Sequence, residues 1–351
     1  MTPALHRPEP LLGLRMEMVD RTASAKAAAR RLIKGDQLCV SDHYRTGVEI
    51  LGELRGLLNP PDTNASYGER QEFDRRYRAA ALRLKAPIVG HRLALDDAHH
   101  NGFLAELYPG MDGFRIPLIS AQELHGAWQR YEQGTHLAVL GRKLHPFYGT
   151  YAPTRTSHLE LFGTWLSQYA GPRDVAVDVG TGCGVLAFML AKGGFSRVVA
   201  TDNNPNAIES VSRELKRLMP PPTMQLKCVD LMGEGEDKAD LIVFNPPWIQ
   251  GDVDDLLDQA LHFQGDLFER FFAQAAQRIT PDGRVVMVFS NIITLVQPDV
   301  PHPIQGELDR GRFQLVQKLQ RKVKPPPGPD GRRRRTREKV EVWELSLSGG
   351  E

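Results

Sequence analysis

The stretch VAVDVGTGCGVLAFMLAKGG, Val175–Gly194, changes character in its middle. Its first part is a short apolar run ending at Asp178, the pattern of a strand buried on both faces, and an apolar segment long enough for a helix begins near Val185. Gly180, Gly182 and Gly184 lie between the two. Glycines there let the chain turn tightly and bring its backbone close to anything resting on the turn, where a Cβ would collide. Taken alone, such a loop is only a strand-to-helix junction, and its meaning depends on its surroundings.

Working outward, apolar runs recur at Asp174–Val179, Arg197–Thr201, Met224–Val229, Asp240–Phe244 and Arg284–Phe289. Helix-like stretches such as Asn206–Leu218 and Leu267–Arg278 separate them. This repetition predicts an α/β domain with a parallel, Rossmann-like sheet covered on both faces. RFQLVQKLQRKVK and KVEVWELSL, joined by PPPGPDGRRRRTRE, read as an antiparallel pair at the edge, which brings the sheet to seven strands. Upstream, SDHYRTGVEILGELRGLL places Val48, Leu51, Leu54 and Leu58 at spacings of three and four, and GERQEFDRRYRAAALRLK and SAQELHGAWQRYEQ are similar. These segments predict a mostly helical amino-terminal region. GTHLAVLGRKLHPFYGTYAPTR breaks into short apolar runs with aromatics and glycines, the signature of a hairpin. The expected organisation is a helical accessory or substrate-recognition region over 1–133, a hairpin linker over 134–155 and the α/β domain over 156–351.

At 351 residues the chain exceeds one typical domain, and with 41% hydrophobic and 25% charged residues it has the composition of a soluble globular protein. A net charge of +1 argues against wholesale electrostatic binding of nucleic acid. No stretch approaches about 18 apolar residues, and prolines and charges interrupt the opening segment, so a cytoplasmic protein without membrane contact is expected. Cys39, Cys183 and Cys228 have no CxxC spacing, which speaks against a disulfide framework or a zinc ribbon. His99, His100, His145 and His158 lack convincing ligand spacing and read as structural or surface residues, so no metal is expected.

The ligand class follows from three acids. Asp202 closes the second strand in VVATDNNPNAI, where a carboxylate can grip ribose hydroxyls. GTGCG is GxGxG and not the GxGxxG of dinucleotide sites. Asp178 is awkward beside a pyrophosphate and suits a ligand whose amino-acid end carries an ammonium. LKCVDLM ends a third strand at Asp230, where a carboxylate can accept a hydrogen bond from an adenine amino group. In these residues the chain resembles the class I S-adenosylmethionine-dependent methyltransferases. The resemblance implies that Asp178 faces the methionine moiety, that Gly180 and Gly182 allow close backbone approach, and that Asp202 and Asp230 hold ribose and adenine. Thr181, Gly184, Asn203, Leu231 and Asn245 complete the cofactor contacts it implies.

The fourth strand runs into LIVFNPPWIQG, Leu241–Gly251. A planar nitrogen has a delocalised, poorly nucleophilic lone pair. The carboxamide oxygen of Asn245 and the main-chain carbonyl of Pro246 can each accept one of its N–H groups and turn that lone pair toward a methyl donor. Pro246 and Pro247 stiffen the loop, and Trp248 offers a flat face for stacking. Asn245-Pro246-Pro247-Trp248 resembles the (Asn/Asp)-Pro-Pro-aromatic motif of methyltransferases acting on planar nitrogens, among them the glutamine methyltransferases of release factors and ribosomal proteins. Trp248 stands where Tyr or Phe is commoner. Ala152-Pro153-Thr154-Arg155-Thr156-Ser157 is similar to the Pro-Arg-Pro-x-Thr-Glu segment of the glutamine enzymes, with Pro153 matching and the second proline absent. Tyr148, Tyr151, Pro153 and Arg155 are the expected substrate-side residues.

The leading expectation is methylation of a protein glutamine amide, with a release factor or ribosomal protein as partner. The alternatives are an exocyclic amino group of adenine or guanine in RNA or DNA, a small-molecule amine or amide, and a non-catalytic scaffold. The nucleic-acid alternative draws on the basic run Gly331–Lys339 and on Arg75, Arg76, Arg78 and Arg83. Acids interspersed among the latter four make a solvated helix face the plainer reading.

Overall fold

A computed structural model of the chain describes residues 3–13, 15–62, 65–153, 155–250, 262–263, 265–323 and 337–349. It forms two compact units, one of Arg7–Glu132 and one of Gln133–Glu351 together with Met1–His6.

The amino-terminal unit runs β1 (Glu17–Val19), α1 (Ala25–Lys34), β2 (Leu38–Val40), α2 (Tyr44–Leu57), α3 (Tyr67–Ala81), β3 (Leu84–Val89), β4 (Arg92–Leu93), α4 (Phe103–Leu107), β5 (Gly113–Pro117) and α5 (Leu118–Gln133). Helix predominates, as the periodicity predicts, but a helical reading alone misses a five-stranded sheet in the order β1-β2-β3-β4, with β5 also on β3. The first three strands are parallel, and β4 and β5 are antiparallel to β3. The reason for the miss is physical. Runs such as LCV and LKAPIV are short and mostly apolar without clear alternation, and periodicity cannot distinguish them from pieces of buried helix. The core face of α2 also differs from the expected stripe, because Val48 is 40% exposed while Ile50, Leu51 and Leu54 are buried. Arg75 pairs with Glu72, Arg78 reaches Glu123 and Arg83 donates to the Leu32 carbonyl at 2.9 Å, so these arginines serve the unit's own surface.

The carboxy-terminal unit opens with the antiparallel hairpin β6 (Thr135–Leu137) and β7 (Arg142–Leu144). There follow α6 (Ser157–Gln168), β8 (Val175–Val179), α7 (Val185–Lys192), β9 (Arg197–Asp202), α8 (Pro205–Lys216), β10 (Met224–Cys228) and β11 (Ala239–Phe244). The short pair β12 (Ile249–Gln250) and β13 (His262–Phe263) comes next. The chain then forms α9 (Leu267–Arg278), β14 (Ile279–Ser290), α10 (Ile292–Val296), α11 (Pro303–Arg310), β15 (Phe313–Lys322) and β16 (Lys339–Leu347). The main sheet has seven strands in the order β10-β9-β8-β11-β14-β16-β15. The first five in this order are parallel, and β16 and β15 close the edge in antiparallel fashion, as expected for an α/β sheet of this class.

Alternation along the central strands divides the core between two faces. Ala176, Val243, Val286 and Val342 meet Phe162 and Trp165 of α6 and Phe188 of α7 on one side. Val177, Ile242, Phe244, Val285 and Met287 meet Phe271 and Phe272 of α9 on the other. No helix among the described residues is long and apolar enough to cross a membrane.

The strand order determines where a ligand can rest. From β8 the chain proceeds through β9 to β10 on one side and then crosses to β11 on the other side of β8. The carboxyl ends of β8 and β11 therefore flank the point where the winding reverses, the place at which open α/β sheets leave a crevice for ligands. Val179 lies opposite Phe244 in register, so the glycine turn after β8 and the Asn245 loop after β11 start side by side.

Candidate active site

The glycine turn is built from positive dihedral angles. Gly180, Gly182 and Gly184 have φ of 65°, 54° and 86°, a region that side chains with a Cβ rarely adopt. A Cβ on Gly184 would stand 2.9 Å from Val211, and one on Gly180 would stand 3.3 Å from the Phe244 ring. β8 ends at Val179, and Asp178 within it is buried at 1% exposure. Its Oδ2 accepts hydrogen bonds from the Thr181 hydroxyl at 2.7 Å and the Ala187 N–H at 2.9 Å. Its Oδ1 is buried and has no hydrogen-bond partner among the described residues. Burial pushes the Asp178 carboxyl up to about 7, against the pull of the Thr181 and Ala187 hydrogen bonds. A buried carboxylate oxygen without a partner fits a cationic group of a ligand and is otherwise costly.

Asp202 ends β9 beside this turn. Its Oδ2 accepts the Gly182 N–H and its Oδ1 the Asn204 N–H, both at 2.9 Å. Each oxygen keeps a lone pair for another donor. Burial raises the Asp202 carboxyl from its ordinary range, and the two N–H groups oppose the rise. Asn203 is exposed on the loop, while Asn204 caps α8 by accepting the Asn206 N–H at 3.0 Å. In the role that the resemblance to S-adenosylmethionine-dependent methyltransferases implies for it, Asp202→Ala is expected to weaken binding of that ligand roughly tenfold to a hundredfold. Calorimetry giving a wild-type affinity would remove Asp202 from the site.

Asp230 departs from expectation in one respect. β10 ends at Cys228, and Asp230 lies in the turn beyond it, because the Val229 N–H bonds to the Asp202 carbonyl at 2.9 Å before the chain reverses. Leu231 takes up the reversal at φ 49°, an unusual backbone conformation for leucine, with its side chain buried. The Asp230 carboxylate is paired with the Arg270 guanidinium from α9. Forty residues separate that pair in sequence, and no local pattern announces it.

On the other side of the turn, the segment after β7 is pinned to α8. The Phe147 N–H donates to Ser210 Oγ at 3.1 Å, Asn206 Nδ2 to the Tyr148 carbonyl at 2.9 Å and Asn204 Nδ2 to the Gly149 carbonyl at 2.8 Å. Phe147 is core, 1% exposed, whereas Tyr148 and Tyr151 are half-buried. The Tyr151 carbonyl is 3.5 Å from where a Gly182 Cβ would sit. Pro153 is buried, and Arg155 pairs with the buried Glu338 at 3.3 Å. Thr154, Gly251 and the Arg332–Arg335 part of the basic run lie outside the described residues.

After Phe244 come Asn245, half-buried, Pro246, buried, and then Pro247 and Trp248, both half-buried. The Trp248 indole N–H donates to Asn245 Oδ1 at 3.1 Å. The indole also meets the ring of His158 nearly perpendicularly, at 88° with centroids 5.4 Å apart. His158 is 2% exposed, and burial pushes its imidazole down to about 4, with the Arg155 charge adding to the shift and Glu160 opposing it. It is no surface histidine. The sequence carries a usable signal, since His158, Phe162 and Trp165 recur at spacings of four and three on the buried face of α6. Among the described residues no group of three or more His, Cys, Asp and Glu is arranged to hold a metal ion.

A mostly parallel sheet thus carries at its switch point a glycine turn, a buried acid beneath it, a second acid at the next strand end and the Asn-Pro-Pro-Trp segment, the position at which open α/β sheets bind ligands. Residues 162–297 match the family model of the methyltransferase small domain. The chain is 25% identical over 226 residues to a ribosomal protein L11 methyltransferase of Geobacillus thermodenitrificans, covering 59% of this chain and 65% of the relative. A candidate protein N5-glutamine methyltransferase of Methanocaldococcus jannaschii is 25% identical over 123 residues, covering 33% of this chain and 61% of the relative. The chain thus spans just under two thirds of the length of these relatives. Among solved structures, a ribosomal protein L11 methylase from Lactobacillus delbrueckii subsp. bulgaricus aligns with a TM-score of 0.39 at 19% identity, over 57% of this chain and 82% of that one. Within residues 162–297 the chain is therefore similar to methyltransferase domains, and its sheet is of the mostly parallel α/β type.

Proposed function

We propose that the chain is an S-adenosylmethionine-dependent N-methyltransferase acting on a planar nitrogen, and that its acceptor is a protein glutamine side-chain amide. The observation that carries this reading is the register of β8 with β11, which sets Asn245 next to the glycine turn. S-adenosylmethionine, when bound, supplies a methyl group on a positively charged sulfur. The chain's own residues then have distinct tasks. Asp178 offers its free Oδ1 to the ammonium of the methionine end, and Gly180 and Gly182 leave room for the ligand to approach the backbone. Asp202 takes the ribose hydroxyls. Asp230, Asn203 and Leu231 border the base, with Asp230 already held by Arg270. Thr181 fixes the Asp178 carboxylate, and Gly184 opens α7.

On the acceptor side, Asn245 Oδ1 and the Pro246 carbonyl each receive one N–H of the amide, which turns its lone pair out of conjugation and toward the methyl. No general base is required at that step, because the proton can leave the nitrogen after transfer. Tyr148, Tyr151, Pro153 and Arg155 border the entrance. Likeness to proteins named for modifying a ribosomal protein and a protein glutamine supports a protein acceptor. The nucleobase alternative draws on a basic run that lies mostly outside the described residues.

The test is transfer from methyl-tritiated S-adenosylmethionine into a fractionated cell extract, followed by separate protease and ribonuclease digestion. Counts solubilised only by protease are expected. Counts released only by ribonuclease would move the acceptor to RNA, and counts in the small-molecule fraction would remove the protein acceptor.

A further inference from the structure

Asn245 presents a problem that the motif alone does not solve. A carboxamide can flip end for end, exchanging its oxygen and nitrogen with little steric change, and only one of the two arrangements offers an acceptor to a substrate N–H. A Tyr or Phe at the fourth position of the motif has no ring N–H to choose between them. Trp248 has one, and an indole nitrogen can only donate. Its hydrogen bond at 3.1 Å therefore selects the arrangement with Oδ1 toward the indole and occupies one of that oxygen's two lone-pair directions. The other direction is left for a substrate.

The indole must itself be held at the right angle, and here the second observation enters. His158 is almost wholly buried, and its Nε2 has no hydrogen-bond partner among the described residues. Its ring stands perpendicular to that of Trp248, the arrangement in which the edge of one ring meets the face of the other. An Nε2–H directed at the indole π face would account for the nitrogen without a conventional partner. His158 lies in the first turn of α6, and buried residues of that helix, among them Leu159, Phe162 and Trp165, anchor it to the main sheet, so the imidazole is a fixed support.

We propose that His158 is a positioning residue for Asn245 and acts through Trp248: the imidazole fixes the indole, and the indole N–H fixes the carboxamide. The proposal rests on the reading of Asn245 as the substrate acceptor, and it makes Trp248 a working part of the site beyond its stacking face.

The experiment compares wild type with His158→Phe, Trp248→Phe, Asn245→Ala and the His158→Phe/Trp248→Phe double variant. His158→Gln keeps an N–H near the position of Nε2 and guards against a folding defect. The first readout needs no substrate. The Trp248 indole N–H resonance, assigned by its disappearance in Trp248→Phe, is expected to shift in Asn245→Ala and also in His158→Phe, and to return toward its native position in His158→Gln. The second readout is methyl transfer into extract protein. His158→Phe is expected to lower the rate roughly tenfold to a hundredfold with S-adenosylmethionine affinity unchanged, and to cause no further loss when Trp248 is already Phe. An indole resonance unmoved in a folded His158→Phe protein, or additive losses in the double variant, would overturn the proposal. Absence of transfer by wild type despite cofactor binding would instead defeat the functional reading, and the indole resonance would still decide whether His158 holds Trp248.

Discussion

Asn245→Ala is expected to bind S-adenosylmethionine within about twofold of wild type and to transfer methyl roughly 10²–10³-fold more slowly, the loss typical of removing one preorganised donor or acceptor from a reacting centre. The expectation follows from where the residue stands. Asn245 begins the loop after β11, opposite the glycine turn, and neither Asp178 nor Asp202 takes a hydrogen bond from it. Truncation leaves both acids and the turn intact and removes the oxygen that receives the amide N–H. It also frees the Trp248 N–H, and a tryptophan that reorients would add to the loss. Steady-state transfer together with calorimetric cofactor affinity separates the two effects. A proportional fall in both would mean that Asn245 serves the cofactor and not the acceptor.

The second large effect is one of pH. Burial holds Asp178 protonated in the free protein up to about 7, well above the ordinary carboxylate range. A ligand ammonium beside Oδ1 favours the ionised form, so binding S-adenosylmethionine below pH 7 releases a proton. By linkage the affinity should rise with pH, by up to about tenfold per unit, and level off above the free-state value. The neighbouring Asp202 charge contributes to keeping Asp178 protonated and should be partly relieved when the cation binds. Calorimetry in buffers of different ionisation enthalpy reads the released proton directly. Asp178→Asn should bind more weakly near neutrality and lose the slope. A flat wild-type profile between pH 5.5 and 7 would contradict the assignment of the ammonium to Asp178.

Much of the domain that carries the site is legible in the chain because its strands are continuous apolar runs closed by glycine, aspartate or asparagine. Val175–Val179, Arg197–Asp202 and Ala239–Phe244 are each buried on both faces, and each ends where a ligand would lie. The amino-terminal sheet is hidden for the opposite reason, since strands as short as Glu17–Val19 and Leu38–Val40 give periodicity nothing to count. Contacts between distant side chains are hidden too. The Asp230–Arg270 pair and the Trp248–His158 ring contact join separate elements of one unit, and only the fold brings them together. The hydrogen bond from Trp248 to Asn245 spans three residues, yet it depends on how the two prolines between them turn the loop.

The most direct measurement is to find the atom that receives the methyl group. Cell extract treated with the protein and trideuteromethyl S-adenosylmethionine, then digested and sequenced by tandem mass spectrometry, should carry the label on a glutamine side-chain nitrogen. The label should be absent when Asn245→Ala replaces the wild type. Label on an aliphatic amine would contradict the account, because a tetrahedral nitrogen must lose a proton before it can attack and has no conjugated lone pair for Asn245 and Pro246 to turn.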